Sequence, residues 1–312
     1  MAAGVQATND DATSCKRYAV EKGYWDDPFV TCFSRSSSRR SPEISRGYYA
    51  RVKAVETFCR QFVDLCNRKG RDSQIVSLGA GFDTLYWRLH AAGRRPSRFV
   101  EVDCPPVVRR KVVACQRKKL LSDVIDLDGH VTVSGCGLYS KCYSVVGGDL
   151  SDIVDVGKKL MECGLVADVP TFVLAECVLV YLETSQTRRI LTWAAETFST
   201  ALFLSYEPVN VFDQFGHVMV ENLRLRSCAL LGADDCESLD RQMSRFRDCG
   251  WKRVNAVDMW DVYNMLPADD VQRVERLEFL DEVELLQQLL QHYCISYAVN
   301  DLLGMGLGDI RI

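Results

Sequence analysis

Gly79-Ala80-Gly81 follows directly on the apolar run Gln74-Ile75-Val76-Ser77-Leu78, and Asp103 closes the next apolar run, 24 residues after Gly79. Glycines at the carboxyl end of a strand let the backbone approach a ligand, and an acid at the tip of the following strand can hold both hydroxyls of a ribose. The pair predicts a nucleoside-cofactor site. Thr84 stands where a dinucleotide fingerprint has its third glycine, the residue that lets a helix pack closely beneath a pyrophosphate. That departure disfavours NAD or FAD and suits an adenosine ligand without phosphates, of which S-adenosylmethionine is the common one. A tight turn would explain Gly-x-Gly alone; Asp103 at this distance favours the cofactor.

Polar groups recur where later apolar runs end, at Gly147-Gly148-Asp149-Leu150, Ala175-Glu176-Cys177 and Tyr206-Glu207. In an open α/β sheet ligands bind outside the carboxyl ends of the strands, which gives each group an expected role. Asp103 holds the ribose diol. Asp149 and the Leu150 main chain meet the adenine. Glu176 accepts from the ammonium of the cofactor's methionine end. The carboxylate of that methionine needs cations, and Lys16, Arg17, Arg46 and Arg51 are the candidates.

The elements that must position these groups read as follows. Residues 1–12 are small and polar and predict an unstructured tail, and 34–41 a Ser/Arg-rich loop. Tyr48, Val52, Val55, Phe58, Phe62 and Leu65 recur at helical spacing, so 13–70 reads as a helical cap. Strands fit 74–79, 98–103, 143–148, 171–176 and 201–206, and helices fit 83–90, 105–121, 152–163 and 184–198. Apolar strands alternating with helices mean an α/β, doubly wound, mostly parallel sheet. Residues 208–250 read as a helical lid insertion ended by Gly250, with Phe212, Phe215, Met219 and Leu223 toward an acceptor pocket and Tyr181 and Tyr206 as its polar walls. A strand over 251–257, helices near 259–265, 268–278 and 281–291, and an antiparallel strand over 293–299 complete one domain from 13 to 312. A late hairpin after five parallel strands is the architecture of Rossmann-like, class I S-adenosylmethionine-dependent methyltransferases.

Composition excludes more than it assigns. The 312 residues are 47% hydrophobic and 26% charged, with net charge −4, which offers no general attraction to nucleic acid or anionic lipid. The run Arg109-Arg110-Lys111…Arg117-Lys118-Lys119 is interleaved with valines and reads as the wet face of an amphipathic helix. No apolar run approaches a membrane span, and the N-terminus has no apolar signal core. Fourteen cysteines without C-x-x-C, and four histidines without H-E-x-x-H, give no metal or hydrolase pattern. Free thiols in a reducing cytoplasm are expected.

Glu43-Ile44-x-Arg46-Gly47-Tyr48-Tyr49-Ala50-Arg51, Leu78-Gly79-Ala80-Gly81-Phe82-Asp83-Thr84, Glu101-Val102-Asp103, Ala175-Glu176-Cys177-Val178-Leu179-Val180-Tyr181 and Leu277-Glu278-Phe279-Leu280-Asp281-Glu282 together resemble the leucine carboxyl methyltransferases. The resemblance runs from Ala12 to the end of the chain. It implies a monomeric enzyme that uses S-adenosylmethionine to esterify the C-terminal leucine of the protein phosphatase 2A catalytic subunit, a step that regulates phosphatase holoenzyme assembly. It implies cofactor contacts at Lys16, Arg51, Gly79, Asp103, Asp149, Leu150 and Glu176, in agreement with the strand-tip reading, to which Gly81 of the glycine turn belongs; Arg51, Tyr181 and Tyr206 are the candidate catalytic residues. Cys104-Pro105-Pro106 departs from the family's larger aromatic before the proline. A tRNA-modifying relative, or an inactive protein that binds the phosphatase tail, are the alternative readings.

Overall fold

The computed structural model describes residues 3–34, 37–127 and 129–312. Strands β1 (Gln74–Leu78), β2 (Arg98–Asp103), β3 (Thr132–Ser134), β4 (Gly137–Tyr139), β5 (Tyr143–Gly147), β6 (Thr171–Glu176), β7 (Thr200–Pro208), β8 (Arg253–Asp258) and β9 (Tyr293–Asp301) form one sheet in the order β3-β4-β5-β2-β1-β6-β7-β9-β8. The five strands from β5 to β7 are parallel; β9 runs antiparallel to both β7 and β8. The chain winds from β1 outward through β2 to β5, then returns to the other side of β1 with β6. That reversal leaves a crevice at the carboxyl ends of β1 and β6.

The helices are α1 (Ala3–Glu21), α2 (Pro42–Arg68), α3 (Leu85–Ala91), α4 (Pro105–Arg117), α5 (Lys119–Asp126), α6 (Ile153–Glu162), α7 (Thr184–Thr197), α8 (Gln214–Leu225), α9 (Leu239–Arg247), α10 (Met259–Met265), α11 (Ala268–Glu275) and α12 (Val283–Leu290). Period-2 alternation sorts the strand side chains between two cores. Ile75, Phe99, Phe172, Leu174, Leu202 and Leu204 face α2, α3, α5 and α10–α12. Val76, Val100, Val173, Ala175 and Phe203 face α6, α7 and α9. Residues buried on both faces explain why these strands read as continuous apolar runs.

Four expectations change. Residues 3–12, read as an unstructured tail, belong to α1; Met1 and Ala2 lie outside the described residues, as do Arg35 and Ser36 of the 34–41 loop. The polar composition that suggested disorder instead supplies tertiary partners. Asn9 Oδ1 accepts from Phe82 N at 2.8 Å, Asp10 pairs with Arg110 at 2.6 Å and Asp11 with Arg40 at 2.7 Å. The single helix expected over 105–121 breaks at Lys118, whose φ and ψ of −101° and 105° are extended, so that α5 can bury Leu121 and Ile125. Lys111 is not on a wet face: it is 1% exposed and pairs with equally buried Glu101 at 2.5 Å. The β3–β4 hairpin went unread because three-residue strands, one of them exposed throughout, carry no apolar period.

Candidate active site

The carboxyl ends of β2, β1, β6 and β7, together with the start of β9, frame a cavity of about 700 Å³ that α1 and α2 cover. Lys16, Arg51, Gly79, Gly81, Asp103, Glu176, Tyr181 and Tyr206 all line it. Asp149 and Leu150 do not. Asp149 is exposed beyond β5 and Leu150 is buried in the core facing α6. Of the other candidate cations, Arg17 pairs with Glu21 and Arg46 donates to the Glu275 and Glu278 carbonyls, so neither reaches the cavity.

At the β1 end, Gly79 holds φ +63° and Gly81 φ +51°, a region that L side chains rarely adopt. A Cβ on Gly79 would also lie 2.6 Å from Val178 Cγ2. The turn aims Gly81 N at Asp103: Oδ2 accepts from it at 2.7 Å, while Oδ1 accepts from Cys104 N at 2.6 Å. An ionised carboxylate accepts about four hydrogen bonds. Asp103 is therefore fixed by two backbone donors and retains capacity for two hydroxyls, which is what a ribose diol requires.

At the β6 end, Glu176 receives Lys16 at 3.0 Å and Arg51 at 2.5 Å, and Lys16 also reaches Asp83 at 2.8 Å. Burial pushes the Glu176 carboxyl up, but Arg51 and then Lys16 outweigh it and hold it below the usual range. Burial likewise raises Asp83, and Lys16 and Arg88 more than reverse it. Both acids stay ionised at neutral pH. The Arg51 guanidinium lies 4.5 Å over the Tyr206 ring and 5.5 Å over that of Tyr48, and Tyr206 stacks on Tyr293 at 5.4 Å. Burial pushes the Tyr206 hydroxyl well up, so it stays neutral.

Glu207 shapes the wall between these ends. It is fully buried and accepts the backbone N–H groups of Val178, Leu179 and Val180 at 3.1, 2.8 and 3.2 Å. Those bonds fix the short turn that carries Tyr181 into the cavity. Cys177, just before it, holds φ +59° and donates its N–H to the Tyr206 carbonyl at 2.6 Å. Positive φ in a non-glycine residue persists where the surroundings over-determine it. The cavity thiols are poor nucleophiles: burial pushes Cys104 up to about 11 and Cys177 up to about 12.

The expected lid segment runs through α8 and α9. Leu223 lines the cavity, whereas Phe212 is exposed, Phe215 packs on His292 and Met219 lies against Val211 and Cys236. Sequence reasoning passed over Asn9, Tyr48, Asp83 and Tyr293, which line the cavity. Asp83 stood inside the glycine motif and could have been found; the rest needed the fold. Among the described residues no group of three or more His, Cys, Asp or Glu could hold a metal, and no helix is long and apolar enough to cross a membrane.

The sheet order, the crevice and the glycine–acid pair define a Rossmann-like, class I methyltransferase. Two solved structures share the fold. A protein from Streptomyces avermitilis superimposes with a TM-score of 0.56 at 13% identity, covering 92% of this chain and 96% of that one. A candidate methyltransferase from Thermobifida fusca gives 0.55 at 13% identity, covering 92% and 87%. Within that class, residues 4–195 match the leucine carboxyl methyltransferase family. Leucine carboxyl methyltransferase 1 of Bos taurus is 43% identical over 98% of this chain and 93% of its own length, and the Arabidopsis thaliana homolog is 40% identical over 98% and 92%. The chain belongs to the leucine carboxyl methyltransferase family. The tRNA wybutosine-synthesizing protein 4 of Homo sapiens is also similar, 38% identical over 95% of this chain but 44% of its own length.

Proposed function

We propose that this enzyme methylates the C-terminal leucine α-carboxylate of the protein phosphatase 2A catalytic subunit, using S-adenosylmethionine, as a cytoplasmic monomer. The observation that carries the reading is one continuous cavity that joins a ribose-type acid at β2 to a cation cluster at β6 and an aromatic, aliphatic end at β9. All fourteen cysteines are free, which agrees with a reducing compartment.

The residues fit the cofactor. Asp103, held by two backbone donors, retains acceptor capacity for a ribose. Gly79 and Gly81 keep side chains out of the β1 tip, and Glu176 with Lys16 and Arg51 offers both an acceptor and cations to an amino-acid group. When bound, S-adenosylmethionine supplies a methyl group on a sulfonium cation.

The acceptor, a peptide α-carboxylate of pKa near 3.3–3.7, is ionised at pH 7, so the chain needs no general base. The cavity's thiols and the Tyr206 hydroxyl are all protonated at that pH, and its ionised Glu176 and Asp83 carboxylates are engaged by Lys16 and Arg51. What the chain supplies is position. Arg51 sits between Glu176 and the Tyr206–Tyr293 stack, where it can orient a carboxylate, and the apolar walls exclude water from a reaction that consumes charge. Alignment of this kind is worth roughly 7–11 kcal/mol. With Lys16, Arg51 and Glu176 holding the donor's amino-acid end, methyl transfer would leave a neutral ester on the acceptor and a neutral thioether on the donor. A net charge of −4 gives no pull toward tRNA, and the intact Asp103, Glu176 and Arg51 set argues against an inactive binding protein.

The test uses labelled S-adenosylmethionine and the phosphatase catalytic subunit with and without its terminal leucine. Base-labile label that requires the leucine is expected. Cofactor binding without transfer would refute the acceptor while leaving the cofactor site standing.

A further inference from the structure

Gly47 is unlike every other glycine in the chain. The others either hold a positive φ or sit where an added Cβ would come within 2.8 Å of a neighbouring atom. Gly47 does neither. It lies inside helix α2, and a Cβ there would meet only Leu289 Cδ2 at 3.7 Å and Leu290 Cδ2 at 4.0 Å, ordinary contacts. Glycine inside a helix is destabilising relative to alanine. Neither backbone conformation nor packing within the protein accounts for that cost. Gly47 lines the cavity, and a ligand passing close to α2 is what remains to account for it.

Its position says which ligand. Gly47 and Arg51 are one turn apart on the same helix face, and Ile44 and Tyr48 extend that stripe into the cavity. The opposing groups, Leu289 and Tyr293, come from the end of α12 and the start of β9. In the sheet, β9 is four strand spacings from β2, the strand that ends in Asp103. At about 4.8 Å per spacing this is about 19 Å. A nucleoside anchored on Asp103 occupies the far end, which leaves the Gly47 end for the acceptor.

We infer that Gly47 sets the depth of the pocket that seats the acceptor's terminal side chain, with Ile44, Leu289 and Tyr293 as walls and Arg51 one turn away at the carboxylate. The inference rests on the function proposed above and names the determinant of its leucine specificity. A methyl group at position 47 would shorten the pocket by about the reach of one methylene, which is worth roughly 10–200-fold in discrimination.

Gly47→Ala tests this, because alanine strengthens the helix. Three quantities are read together: melting temperature, cofactor Kd by calorimetry, and kcat/KM on the phosphatase catalytic subunit ending in leucine or in valine, one methylene shorter. The expected result is a higher melting temperature, a cofactor Kd within twofold of wild type, and kcat/KM reduced at least tenfold for the leucine form but less than threefold for the valine form. Unchanged kcat/KM, or equal losses on both acceptors, would overturn the pocket assignment. A weakened cofactor Kd would overturn it in favour of a cofactor contact. Absence of wild-type transfer to the leucine form would instead overturn the proposed function, and this inference with it.

Discussion

Gly79→Ala puts the architecture of the β1 tip to a quantitative test. Two separable penalties arise. Gly79 holds φ +63°, and a non-glycine residue in the left-handed region costs about 1–2 kcal/mol. The new Cβ would also lie 2.6 and 2.9 Å from the two Val178 methyl carbons. Val178 is β-branched, so turning one methyl away brings another group toward the same space. Overpacking at such a site costs about 1–3 kcal/mol. The sum is about 2–5 kcal/mol, or roughly 3–8 °C in Tm for a chain of this size. Val178→Ala removes both methyls and should relieve the second penalty but not the first. A thermal double-mutant cycle should therefore show a favourable coupling of about 1–3 kcal/mol. Because Val178 N–H is held by Glu207 at 3.1 Å in the turn that leads to Tyr181, cofactor affinity should fall in Gly79→Ala and partly recover in the double variant. A Tm within a degree or two of wild type, or strictly additive effects, would refute the claim that Gly79 is required by both φ and Val178.

Asp103→Ala should weaken S-adenosylmethionine binding by about 1–3 kcal/mol through loss of charged hydrogen bonds; unchanged affinity by calorimetry would remove Asp103 from the ribose role. The folded-state pKa values of Glu176 and Asp83 are depressed, so the stability they contribute is present above the ordinary carboxylate range and is lost as pH falls through the folded values. Glu176→Gln should accordingly flatten the acid side of a urea-denaturation series, and a wild-type-like acid limb in that variant would count against the cluster. The raised Cys104 and Cys177 thiols predict slow alkylation at pH 7.5 in the folded enzyme. Loss of activity within minutes of adding iodoacetamide, at a cysteine in this cavity, would contradict the protonated state assigned to them.

The five parallel strands β1, β2, β5, β6 and β7 were legible because each is buried on both faces, and a fully buried strand announces itself as an apolar run regardless of what packs on it. The Gly79–Asp103 pair was legible for a similar reason. Both residues sit where a strand stops, and the chemistry of a nucleoside site is local to two adjacent strand tips. Tertiary structure decided the groups that depend on distant partners. Lys16 and Arg51 meet Glu176 across 160 and 125 residues, and no periodicity encodes such a meeting. Lys111 looks like any surface lysine until Glu101 is found beside it in the core. The polar residues of α1 look like a loose tail until Phe82, Arg40 and Arg110 supply their partners. Position after a strand points Asp149 toward the adenine; β5 stands next to β2 in the sheet, and Asp149 itself is not among the residues that line the cavity. The sequence by itself determined what each segment can form and which residue types stand at its ends, because those follow from short-range sterics and apolar spacing. Only the fold decided which of those ends converge, and the clearance at Gly47 is visible only once α12 and β9 stand opposite α2.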